Sequence, residues 1–113
     1  MASEQTKIKI YKGNLEMNSK LQNIFSKKEK VEIEKINEIN CDIVNNTDIL
    51  IILSEEDRES ILNKYKKAKI FIVALNGIAF YCYSNGDFAM SVLNRDEERS
   101  ANVILDQYYA CKE

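Results

Sequence analysis

Two short unbroken apolar runs constrain this fold more than anything else in the sequence. They are Ile49-Leu50-Ile51-Ile52-Leu53 and Ile70-Phe71-Ile72-Val73-Ala74-Leu75. Runs of this length bounded by polar residues are strands covered on both faces, the habit of parallel sheets. Neither approaches the ~20 apolar residues that span a bilayer. Between them, Ser54 with Asp57 three places on marks a helix start. Ile61, Leu62, Tyr65 and Ala68 then recur on one helical stripe.

The N-terminal third follows the same strand–helix alternation. Lys7-Ile8-Lys9-Ile10-Tyr11 alternates as a half-covered strand does, and Gly13-Asn14 ends it, with Asn14 able to cap a helix over 14–28. Leu15, Met17, Leu21, Ile24 and Phe25 form that helix's apolar stripe, and Val31-Glu32-Ile33-Glu34 returns to alternation as a second strand. Ile36, Ile39 and Ile43 suggest a short helical segment before the first apolar run. The first six residues are polar, and the expectation there is a frayed terminus.

After Leu75 the pattern changes. Asn76-Gly77 and Asn85-Gly86 each separate two apolar stretches, and Asn-Gly favours hairpin turns because both central residues of a type I′ turn need positive φ. An antiparallel meander over 69–75, 78–84 and 87–93 is expected. Asn94 and Glu97 form a cap pair, and a last helix over 95–112 carries Ala101, Ile104, Leu105 and Tyr108 on one stripe. The expected fold is therefore α/β (or α+β), one domain over 1–113. Its order is β-α-β-(α)-β-α-β-β-β-α, with a parallel first half. Helices should cover one or both faces of a single mixed sheet.

Composition narrows the chemistry. The 113 residues include no histidine, proline or tryptophan, three glycines and three cysteines, and the net charge is −2. Without histidine, nucleophile–His catalysis is excluded for the chain acting alone. The glycines at 13, 77 and 86 cannot build a phosphate loop. Cys41, Cys82 and Cys111 are widely spaced, with no CxxC, and read as reduced, mostly buried thiols. No metal and no cofactor is expected. The absence of a signal-like N-terminus or an apolar span points to the cytoplasm and away from a membrane partner. The weight of Ile, Lys and Asn matches AT-rich coding DNA, such as that of a low-GC bacterium, its phages or its plasmids.

Ligands of open α/β sheets sit beyond the strand carboxyl ends. Here that edge carries Lys12, Gly13, Asn14, Ser54 and Glu55, with Glu56 and Asp57 beside them. Lys12 and the helix start at Asn14 can attract an anion. The three acids can hold Mg²⁺ or simply complement a helix dipole. Over roughly 7–75 the layout resembles small flavodoxin-like domains such as response-regulator receivers and sugar-transport IIB domains. That resemblance implies an acidic pair or a cysteine after the first strand, where this chain has Lys12-Gly13. A receiver also implies a phosphorylatable Asp after the third strand, where this chain has Ser54.

Lys27, Lys28 and Lys30 cluster at the end of one expected helix, and Lys64, Lys66, Lys67 and Lys69 at the end of another. Parallel crossovers would bring both clusters to one sheet edge, a basic edge to which nucleic acid or an acidic protein could bind. Tyr81 and Tyr83 share one face of the meander and Phe80 and Cys82 the other. Strict alternation groups Phe88, Met90 and Val92 against Ala89 and Leu93. Tyr108 and Tyr109 adjoin on the last helix, where only one can enter a core. Apolar residues on both meander faces mean a two-sided core or a face that meets a partner. With no catalytic set in view, the leading expectation is a non-catalytic interaction or regulatory module that binds another protein or its own copy through Tyr81, Tyr83, Tyr108 or Tyr109. An anion-binding protein or enzyme, and a nucleic-acid binder, are the alternatives.

Overall fold

The computed structural model describes residues 5–12, 15–65 and 68–112. In order, the elements are β1 (Thr6–Tyr11), α1 (Leu15–Ser26), β2 (Val31–Ile36), α2 (Cys41–Asn45) and β3 (Ile49–Ile52), then α3 (Glu55–Tyr65), β4 (Phe71–Asn76), β5 (Ala79–Ser84), β6 (Asp87–Leu93) and α4 (Glu97–Lys112). One six-stranded sheet runs in the order β2-β1-β3-β4-β5-β6. The first four strands are parallel, and β5 and β6 continue antiparallel. This is the expected mixed α/β sheet with its C-terminal meander and helix.

Helices cover both faces, and the apolar runs sit where they must. Ile49, Ile51, Phe71 and Val73 point to the side of α1 and α4, where they meet Leu21, Phe25, Ala101, Ile104 and Tyr108. Leu50, Ile52, Ile72 and Ala74 point to the side of α2 and α3, where they meet Val44, Ile61 and Tyr65. All four residues of β3 are fully buried. Each such Ile or Leu side chain contributes about 2 kcal/mol relative to an exposed position.

The turns and caps differ from the sequence expectation in instructive ways. The β5–β6 turn has positive φ at Asn85 (53°) and Gly86 (89°), as a type I′ turn requires. The β4–β5 turn is displaced by one residue. Asn76 pairs with Ala79, so Gly77 and Ile78 are the central residues, and Gly77 alone of these has positive φ (64°). That is the sign pattern of a type II′ turn, and it leaves Ile78 projecting into solvent. The cap of α4 is Asp96, not Asn94: the Glu98 N–H donates to Asp96 Oδ1 at 3.1 Å, and the Ser100 N–H to the Asp96 carbonyl at 2.9 Å. Asn94 cannot take that role because it still extends the ladder, its N–H donating to the Ile78 carbonyl at 2.7 Å. Ile36 ends β2 rather than opening a helix, and α2 starts after Asn40, whose side chain accepts from the Ile43 N–H at 2.9 Å. β1 begins at Thr6; the turn and cap expected at Gly13 and Asn14 lie outside the described residues.

Candidate functional site

The meander's two faces are treated differently. On one, Phe80 and Cys82 are fully buried, with Met90 and Val92 packed beside them toward α4. On the other, α3 reaches as far as Tyr83 and no described helix packs over β6. Tyr81, Tyr83 and Phe88 remain there as an aromatic cluster, with Phe88 edge-on to Tyr81 at 6.1 Å and to Tyr83 at 5.8 Å. Phe88 is 58% exposed, Leu93 48% and Ile78, at the neighbouring turn, 76%. An open cleft of about 230 Å³, lined by Glu59, Leu62, Ile72 and Tyr83, adjoins this face where α3 stops.

A bulge produces this grouping. The β5–β6 register shifts between Cys82 and Tyr83, so Cys82 opposes Met90 while Tyr83 opposes Phe88, and Ala89 is the extra residue. Strict alternation placed Phe88 with Met90 and Val92; the bulge instead moves Phe88 to the face of Tyr83, Tyr81 and Leu93. Alternation alone therefore misses the exposed aromatic at the centre of the patch: it offers Tyr81 and Tyr83 for an interface but sets Phe88 with Met90 and Val92. The two C-terminal tyrosines belong elsewhere. Tyr108 is buried edge-on against Phe71 on the α4 side, and Tyr109 is 41% exposed with its hydroxyl 2.9 Å from Thr6 Oγ1. Neither joins the open face.

The sheet's two edges also differ. β2 carries exposed Glu32, Glu34 and Lys35, with Glu34 paired to Lys9, the charged composition that discourages strand addition. β6 reads Asp87-Phe88-Ala89-Met90-Ser91-Val92-Leu93, with no lysine, arginine or proline. The Asn94 N–H bonds back to β5. Antiparallel alternation therefore turns the amide and carbonyl of Leu93 and Ser91 outward, away from β5.

At the strand carboxyl edge, side chains serve the fold. The Ser54 hydroxyl donates to Asp57 at 3.3 Å, and Glu55 Oε1 accepts the Gly77 N–H at 2.8 Å, tying the start of α3 to the β4–β5 turn. Lys12 lies over the Tyr11 ring at 5.5 Å. A cleft of about 190 Å³ beside them is lined by Tyr11, Asp57, Ser60, Lys64 and Tyr65. Among the described residues no group of three or more His, Cys, Asp or Glu is placed to hold a metal ion.

The lysines split across the sheet. Lys27 and Lys28 follow α1 and Lys64 ends α3, so parallel strands bring them to the same edge, but α1 and α3 lie on opposite faces. Lys28 donates to Asn102 of α4. Lys66 and Lys67 lie outside the described residues. No described helix is long and apolar enough to cross a membrane.

Comparison with protein-family models, with curated proteins and with solved structures finds no match.

Proposed function

We propose that this chain is a non-catalytic protein-interaction module that accepts an extended segment of a protein partner as a further strand along β6. The observation that carries the reading is the open face beside a free edge. Phe88 and Leu93 stand exposed on the α3 side of a strand that has no lysine, arginine or proline to guard its outward amides and carbonyls. Strand addition supplies affinity through main-chain hydrogen bonds and selectivity through alternate side chains, which here would meet the Tyr81–Phe88 cluster. The anion-site alternative draws less support, because Ser54 and Glu55 are engaged in the turn and helix start. The basic-edge alternative is weakened by the division of its lysines between two faces.

The test is selection of random linear peptides on the immobilised chain, followed by binding measurements on the parent, Phe88→Asp and Ser91→Pro. The expected binders alternate apolar and polar residues, slow amide exchange at Ser91 and Leu93, and lose at least about tenfold in affinity on either substitution, the worth of one or two net hydrogen bonds or apolar contacts. Peptides that bind both variants as well as the parent refute the assignment.

A further inference from the structure

We infer that β6 pairs with β6 of a second copy of this chain, antiparallel and centred on Ser91, so that two six-stranded sheets join into one. The inference rests on the interaction reading above and specifies its partner.

The strand is self-complementary in this register. Ser91 and Leu93 turn their amides and carbonyls outward, and the extra residue at Ala89 gives Phe88 the same outward orientation. A two-fold axis at Ser91 then sets Ser91 opposite Ser91 of the second copy and Phe88 opposite Leu93 of the second copy, twice. Each outward residue meets an outward residue, so the three pairs can all exchange main-chain hydrogen bonds. Faces match as well. Phe88, Ser91 and Leu93 share the α3 side with Tyr81 and Tyr83, so the exposed Phe88 of one copy packs on the exposed Leu93 of the other. With Ala89 in regular alternation this pairing would fail, because Phe88 would face the α4 side.

Charge agrees with the same register. Asp87 is the only charged residue of β6, and Arg95 follows the strand by two residues; both are exposed. Antiparallel pairing about Ser91 brings Asp87 of each copy next to Asn94 and Arg95 of the other, giving two symmetric opposite-charge contacts. Parallel pairing would instead stack Asp87 beside Asp87.

Sedimentation velocity from micromolar to near-millimolar protein is the direct measurement. A mass rising from the chain's 13.1 kDa to twice that value is expected. The Ser91 N–H points away from β5, so Ser91→Pro removes no internal ladder bond yet blocks the new junction. Ser91→Lys places like charges face to face across the axis. Either should raise the dimer dissociation constant at least about tenfold while the melting temperature holds. If Ser91→Pro disturbs the fold, Ser91→Lys decides. Asp87→Lys should weaken the dimer, and adding Arg95→Glu should restore it. A chain that stays at 13.1 kDa throughout overturns self-pairing while leaving strand addition to the peptide selection. A dimer indifferent to both Ser91 variants overturns the register and the edge together.

Discussion

Replacing Gly77 probes the β4–β5 turn through its backbone alone. Its φ is +64°, and a Cβ built there meets nothing within 4 Å. Steric overlap therefore adds nothing, and the cost of a side chain is the cost of holding an L residue at positive φ, about 1–2 kcal/mol. The stiffer unfolded chain of the Ala variant returns a few tenths of that. Gly77→Ala should destabilise by about 1 kcal/mol and the β-branched Gly77→Val by about 2. Gly77→Asn should fall below Ala, because asparagine tolerates positive φ. At roughly 4 °C per kcal/mol for a domain of this size, the melting temperature drops about 4 °C for Ala and about 8 °C for Val. Thermal and urea unfolding followed by circular dichroism would read both. The Gly77 N–H also donates to Glu55 Oε1, so Glu55→Ala should be less damaging in the Gly77→Val background if that substitution shifts the turn. Ala and Val variants that melt with the parent would refute the turn geometry, as would an Asn variant less stable than Ala.

Lys30 sits at φ 61° between α1 and β2, so Lys30→Gly should stabilise the fold by about 0.5 kcal/mol, and a lower urea midpoint would contradict this. Burial, then the nearby Cys111, pushes the Cys82 thiol up to about 12 from an ordinary 9.0. The folded thiol keeps its proton where the unfolded one loses it, so its contribution is whole below pH 9.0 and is lost as pH rises toward about 12. Cys82→Ala should flatten that part of the stability profile relative to the parent. The same burial orders thiol labelling: exposed Cys41 first, half-buried Cys111 next and Cys82 only on unfolding.

Most of the architecture was legible because it is written in local periodicity. The apolar runs at Ile49–Leu53 and Ile70–Leu75 could only be two-sided strands, and two-sided strands require helices on both faces, which α1 with α4 and α2 with α3 supply. Where local signals competed, tertiary hydrogen bonds decided. Asn94 and Glu97 have the spacing of a cap pair, but the Asn94 N–H is taken by Ile78, so Asp96 inherits the cap. Asn76-Gly77 has the composition of a type I′ turn, yet the Asn76–Ala79 pairing moves the turn forward by one residue. Single-residue displacements of this kind depend on the partner strand, which no window of sequence contains.

The candidate site was only half legible for the same reason. Tyr81 and Tyr83 fall on one face by strict alternation in β5, and they do so in the structure. The neighbouring strand breaks its alternation at Ala89, and that one extra residue carries Phe88 across the sheet. Two consequences follow from one bulge. Phe88 leaves the α4 side, where Met90 and Val92 already pack, and becomes the exposed centre of the open face. Its amide and carbonyl also turn outward in step with Ser91 and Leu93, which makes the strand complementary to itself. Bulges ordinarily protect an edge by twisting it away from neighbours. Here the bulge aligns side chains and backbone for pairing, so an irregularity that conceals the site from the sequence also defines its geometry. Deleting Ala89 tests this account. Met90 then follows Phe88 directly, and the ladder becomes regular with Phe88 still opposite Tyr83 on the α3 side and its amide outward. The hairpin, with its type I′ turn at Asn85-Gly86 unaltered, and self-association should both persist. A folded deletion variant that stays monomeric would show that the grouping of Phe88, Ser91 and Leu93 on one face and one edge is not what joins the copies.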